Sequence, residues 1–158
     1  MAIEIERKFL VKNELWKPQV QTEKTLKQGY FTEGGERSIR VRTNNGKTAF
    51  LNIKQKLNNQ GTKRLEFEYE IPYADAEIML EQVVIQPIID KTRYKVLNDG
   101  MIWDLDIFAG ENEGLMIAEI ELEDIEQSFQ IPAWAGEEVS DDMRYYNMNL
   151  IRHPFNKW

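Results

Sequence analysis

The chain contains no cysteine, a single histidine, and no apolar run near the ~20 residues needed to span a bilayer as a helix. Without cysteine there are no disulfides, no thiolate metal sites and no cysteine nucleophile. The lone His153 precedes Pro154 close to the C-terminus, leaving His-rich metal sites and Ser-His-Asp chemistry almost nothing to work with. Any metal must therefore be held by oxygen, which favours Mg²⁺, Mn²⁺ or Ca²⁺. Basic residues are also the minority, 20 against 27 acidic for a net charge of −7. That balance argues against a general basic surface for long nucleic acid and leaves open a locally segregated basic pocket. The opening Met-Ala-Ile-Glu-Ile-Glu-Arg-Lys puts charges where a secretory signal needs an apolar core, so a cytoplasmic protein without membrane association is expected.

What is present is period-2 alternation. At 158 residues, with 42% hydrophobic and 30% charged residues, the chain reads as one soluble globular domain over 1–158. Ile3, Ile5 and Phe9 alternate with Glu4, Glu6 and Lys8; Ile39 and Val41 with Arg40 and Arg42; Leu51 and Ile53 with Asn52 and Lys54. The same pattern runs through Leu65–Tyr69, Arg93–Val96, Trp103–Ile107 and Met116–Glu123, and with 24–32 it predicts about eight strands. Turn residues at Gly34-Gly35, Asn44-Asn45-Gly46, Asn58-Asn59-Gln60-Gly61 and Asn98-Asp99-Gly100 divide the runs as antiparallel hairpins. Two helices are expected, one after Pro72 with Met79, Leu80, Val83 and Val84 on its apolar face, and one capped by Ser140 that carries Met143, Asn147, Leu150 and Ile151. A further helix is read at 123–129.

The polar strand faces are charged and grouped by sign. Glu4 and Glu6 project from one side of a strand about 7 Å apart, with Lys8 following on that face. Arg40 with Arg42 and Lys91 with Arg93 form basic pairs; Glu66 with Glu68 and Glu119 with Glu121 form acidic ones. One reading is an ordinary sheet with a solvated side. The other is a closed barrel of about eight strands with apolar faces outward and charges in the lumen. On the second reading the fold class is α+β, an eight-stranded antiparallel β-barrel with a few helices packed outside. Carboxylates opposite guanidinium groups suit a polyanion bound through divalent cations, because Arg grips phosphate directly and a carboxylate needs a metal between.

Glu4-Ile5-Glu6-Arg7-Lys8 in EIERKFLV, KQGYF at 27–31, Arg40-x-Arg42, Lys54, KTRY from Lys91, LDIFAG around Asp106, AEIEL with Glu119 and Glu121, and GEEVSDDMRYYN at 136–147 occur in one order. In that order the chain resembles the CYTH, or triphosphate tunnel metalloenzyme, superfamily over nearly its whole length. The resemblance implies phosphate contacts from Lys8, Lys27, Arg40, Arg42, Lys54, Lys91, Arg93 and Arg144. It implies that Glu4, Glu6, Asp106, Glu119 and Glu121 hold Mg²⁺ or Mn²⁺, with Glu6 and Glu119 orienting the attacking water, and that Tyr30 influences catalysis. Short members often carry lysine where this chain has Tyr146. Lys56, Lys95, Glu70 and Glu123 read as surface or pairing groups.

The resemblance implies an enzyme, with a small-molecule triphosphate as its partner, that hydrolyses inorganic tripolyphosphate. Cyclisation of ATP and hydrolysis of thiamine triphosphate are the alternatives on the same fold, the latter with Trp16, Trp134 or Trp158 as ring platforms. A non-enzymatic polyphosphate or nucleotide binder is the alternative of another class.

Overall fold

A computed structural model describes residues 3–58 and 62–158. The strands are β1 Ile3–Val11, β2 Val20–Tyr30, β3 Arg37–Asn44, β4 Thr48–Lys56, β5 Lys63–Ile71, β6 Ile85–Asn98, β7 Met101–Phe108, β8 Met116–Leu122 and β9 Ala135–Glu138. They lie in the order β5-β4-β3-β2-β6-β7-β8-β1-β9, and pairing of β5 with β1 closes the first eight into a barrel. All the pairings are antiparallel. Two hairpins turn where the sequence marks them. Asn45 and Gly46 have φ of 52° and 64°, and Asp99 and Gly100 have 49° and 73°. Such turns need left-handed residues to match the twist of their strands. The Asn59-Gln60-Gly61 part of the β4–β5 turn lies outside the described residues.

The alternation resolves as an inverted barrel, with apolar side chains outside and charges within. Ile5 and Phe9 of β1 join Trp103, Leu105, Ala118, Ile120 and Trp134 in one outer core, where the Trp103 ring lies 5.6 Å from Phe9 and 5.5 Å from Trp134. Helix α1 (Tyr73–Gln82) lays Ala76 and Leu80 over Val41 and Ala49 of β3 and β4. Gly29 of the KQGYF segment permits this close approach, since a Cβ there would sit 2.5 Å from Val84. Helix α2 (Asn147–Arg152) buries Leu150 and Ile151 against Ile89, Phe108 and Ile117. Burying such side chains contributes roughly 1.5–3 kcal/mol each, so the wall is held from outside. Among the described residues, no helix is long and apolar enough to cross a membrane.

Several sequence expectations are corrected. Strand β6 starts at Ile85, not near Lys91, and carries Pro87; a register shift opposite Gln28–Tyr30 absorbs the missing N–H. Val83 lies past the end of α1 and is exposed. Segment 123–129 is irregular; its Phe129 packs on Trp103 without a helix. No helix begins at Ser140. The chain there is still bound to β1, since Val139 donates its N–H to the Lys8 carbonyl and Ser140 Oγ accepts from the Lys8 N–H at 2.9 Å. A short 3₁₀ turn at Met143–Tyr145 follows, capped by Asp142, before α2 starts at Asn147.

This binding of 139–140 fills a seam. On one edge of β1, β5 pairs with Ile3–Ile5 and β9 with Phe9 and Val11. Between them, Glu6 N–H reaches the Thr62 carbonyl and Lys8 N–H reaches Ser140. The backbone of the Glu-x-Glu-x-Lys motif is thereby satisfied at the point where the barrel closes.

Candidate active site

The barrel encloses a cavity of about 380 Å³. At ~30 Å³ per water it has room for on the order of ten waters or a hydrated polyanion. Its wall carries Lys8, Lys24, Arg40, Arg42, Lys54, Arg64, Lys91, Arg93 and Lys95, with Glu4, Glu6, Glu66, Glu68, Asp104, Glu119 and Glu121. These are nine of the 20 basic side chains and only seven of the 27 acidic ones, so an acidic exterior surrounds a net-positive lumen. Such segregation focuses small anions inward and gives no broad basic face.

One side is rich in carboxylates. Cross-strand register sets Glu6 opposite Glu121 and Lys8 opposite Glu119. The Lys8 ammonium lies 3.4 Å from Glu119 and 3.6 Å from Glu6, and Lys54 Nζ lies 2.8 Å from Glu4. Burial and Glu4 push the Glu6 carboxyl up, but Lys8 and then Lys54 lead the groups that outweigh them and hold it below its usual range. Burial, with Glu4, Glu66 and Glu6 beside it, raises Glu121. Among the described residues no three carboxylates converge on one point, because lysines stand between them. The donor set nonetheless fits a hard divalent cation: only oxygen is offered, and the excess negative charge felt by Glu121 is what a cation relieves.

The facing wall is crowded with cations. Arg40 and Arg42 each have a buried Nε without a hydrogen-bond partner. Burial, then Arg40 and Arg93, push Arg42 down to about 10, with Glu68 at 3.4 Å as its ion-pair partner. A guanidinium stays charged at neutral pH, so this crowding is relieved by an incoming anion rather than by proton loss. Tyr30 accepts a hydrogen bond from Gln28 Nε2 at 3.2 Å and hydrogen-bonds with Arg40. Arg93 forms a two-pronged pair with Asp106, Nε to Oδ1 at 2.8 Å and Nη2 to Oδ2 at 2.9 Å, while Lys91 reaches Oδ2 at 2.8 Å. Burial and the nearby Arg93 nevertheless push Lys91 down to about 8, because Asp106 is shared and Arg93 takes the larger part of it.

Glu4, Glu6, Lys8, Tyr30, Arg40, Arg42, Lys54, Lys91, Arg93, Glu119 and Glu121 are thus brought to the lining of one cavity. Three expected residues are not. Lys27 is exposed on the outer face, since its neighbours Leu26 and Gln28 take the buried positions. Arg144 is exposed, bound to Asp142 at 2.7 Å and stacked over Trp158. Asp106 is fully buried outside the cavity lining, with Arg93 on both of its oxygens and Lys91 on Oδ2. Lys95, read as a surface or pairing group, pairs with Asp104 at 2.6 Å on the cavity wall with its side chain 38% exposed. Trp158, a candidate ring platform, is 42% exposed and away from the cavity. Lys24, Arg64, Asp104, Asn147 and Met148 were missed, and Tyr146, noted in the sequence only as a departure from the family pattern, also lines the cavity. Two-residue steps back from Tyr30 lead to Lys24, and the same step from Glu66 leads to Arg64; nothing in the pattern marks Tyr146.

A closed antiparallel tunnel with a lumen of mixed charge defines a small class of folds, and the comparisons agree with it. The chain belongs to the CYTH domain family, which matches residues 2–153. It is 42% identical over 158 residues to an inorganic triphosphatase of Acetivibrio thermocellus, covering 100% of this chain and 99% of that one. It is 39% identical over 152 residues to an inorganic triphosphatase of Nitrosomonas europaea, covering 93% and 95%. A crystal structure of an inorganic triphosphatase superposes with a TM-score of 0.66 at 35% identity, over 96% of this chain and 95% of that one.

Proposed function

We propose that this chain acts as a single-domain, metal-dependent cytoplasmic enzyme that hydrolyses inorganic tripolyphosphate within the barrel. One observation carries the reading: arginines with unpartnered buried N–H groups face a bank of glutamates across one closed cavity. A simple anion binder has no use for the glutamates. The names of the two relatives point to the same activity.

Lys8, Arg40, Arg42, Lys54, Lys91 and Arg93 grip the phosphates, and Glu4, Glu6, Glu119 and Glu121 hold Mg²⁺ or Mn²⁺. When bound, the cation neutralises charge on the phosphates and lowers the pKa of a coordinated water. Glu6 remains ionised at neutral pH and, with Glu119, accepts hydrogen bonds from the attacking water. The water oxygen bonds to the terminal phosphorus, the bridging P–O bond breaks, and the electron pair leaves with diphosphate; the water proton passes to the carboxylates. Tyr30 fixes Arg40 by hydrogen bonding. The barrel supports an inorganic substrate over one with a large ring, since Trp16 and Trp134 are buried in an outer core.

Purified protein should release phosphate from tripolyphosphate with Mg²⁺ or Mn²⁺, stop in EDTA, and yield no cyclic AMP from ATP. No phosphate release from tripolyphosphate under any of these metal conditions sinks the proposal.

The pH profile supplies a second test. Lys91 is pushed down to about 8, so in the free enzyme it loses its charge as pH rises through that value. The kcat/KM for tripolyphosphate should therefore fall above about pH 8. The kcat limb should lie at higher pH, because bound phosphate favours the ammonium form. Lys91→Arg, which keeps its charge, should remove the limb near 8; an unchanged profile in that variant counts against Lys91 as a phosphate contact.

A further inference from the structure

The segment before α2 joins the lining of the barrel interior, and the ring of Tyr146 there lies close to two cations. Lys8 Nζ is 5.0 Å from the ring centroid and Arg64 Cζ is 4.8 Å from it, both inside the ~6 Å reach of a cation–π contact. The phenol is anchored, donating to the Ser140 carbonyl at 2.8 Å and hydrogen-bonding with Arg64. Ser140 in turn accepts the Lys8 backbone N–H at 2.9 Å. Residues 140–146 therefore hold Lys8 by its backbone and by its side chain.

The distances show what this hold does. Charge-assisted N–H···O contacts settle at about 2.7–2.9 Å. Lys54 and Lys91 reach their carboxylates at 2.8 Å, whereas the Lys8 ammonium stops at 3.4 Å from Glu119 and 3.6 Å from Glu6. Neither carboxylate holds the Lys8 ammonium at tight ion-pair distance, so its N–H groups remain available to a phosphate while the ring lies 5.0 Å away. We infer that Tyr146 is a positioning residue: its ring holds Lys8 and Arg64 ready for the phosphates inside the barrel and so sets substrate affinity. The inference rests on the triphosphatase reading for its substrate and on the Tyr146 contacts for its mechanism.

The test uses the full chain with Tyr146→Leu, Tyr146→Met and Tyr146→Phe. Losing the ring should raise KM for tripolyphosphate about tenfold with kcat changed less than about threefold, and phenylalanine should restore most of the loss because it keeps the π face. Methionine fills the space without a ring, so it decides the case if leucine fails to fold. Equal KM for Tyr146→Phe and Tyr146→Met, whether both intact or both impaired, overturns the inference, as does a lowered melting temperature with KM unchanged. If the wild-type protein releases no phosphate, the triphosphatase reading fails by itself. Calorimetric binding of tripolyphosphate to the same variants then still decides whether the ring positions the two cations.

Discussion

Replacing Glu119 with glutamine should lower phosphate release from tripolyphosphate by about 10³-fold at saturating Mg²⁺, because an oxygen-held cation contributes several kcal/mol and each 1.36 kcal/mol is tenfold. The substitution preserves shape and removes one negative charge from the bank formed by Glu4, Glu6 and Glu121. Two effects on stability oppose each other: Lys8 loses a carboxylate at 3.4 Å, and the remaining glutamates lose a like-charged neighbour. The melting temperature should therefore move by only a few degrees, separating lost chemistry from lost fold. Glu123→Gln, on the exposed strand exit beyond β8, serves as the control and should keep full activity. A Glu119→Gln enzyme that turns over at the wild-type rate removes Glu119 from the site.

The parts of this site that were legible in sequence are those set by local geometry. In a strand, side chains alternate strictly, so Glu4, Glu6 and Lys8 had to share a face, as did Arg40 with Arg42 and Glu119 with Glu121. Once closure was assumed, that face became the lumen. Lys27 was misplaced because a motif was carried over without counting parity; stepping by twos from Tyr30 gives Gln28, Leu26 and Lys24. Parity with Glu66 puts Arg64 on the inner face, but its pairing with Glu4 across sixty positions of chain comes from the β5–β1 closure, which no local pattern reports.

The C-terminal part was least legible for the same reason. Ser140 looks like a helix cap, yet its hydroxyl is taken by the Lys8 N–H, and that long-range bond overrides the local preference. Without a helix from 140, Arg144 turns outward to Asp142 while Tyr146 turns inward. Strand β9 has only four residues, Ala-Gly-Glu-Glu, too few to show alternation. Tertiary pairing decides these elements.

Asp106→Asn should cost about 3–5 kcal/mol of unfolding free energy at pH 7, measured by urea denaturation, because breaking a buried ion pair strands its partners. Arg93 and Lys91 are the stranded groups, with three contacts of 2.8–2.9 Å to Asp106 between them. The pH dependence identifies the cause. Burial opposes ionisation of Asp106, but Arg93 and then Lys91 outweigh it and hold the carboxyl down to about 2. A depressed carboxylate contributes stability that is present above its unfolded pKa of about 4 and is lost as pH falls toward 2, roughly 2 kcal/mol in all. The asparagine variant lacks this component, so its deficit should shrink in acid. At the alkaline end Lys91 can shed its proton, and a lysine whose folded pKa is lowered gains stability as pH rises from that value to its unfolded one; Arg93 has no such escape. The deficit should thus be greatest near neutrality and smaller at pH 9. Adding Lys91→Met removes one of the two stranded cations and should recover part of the loss. If Asp106 were instead a metal ligand, the apo protein would lose less than about 1 kcal/mol and the second substitution would restore nothing.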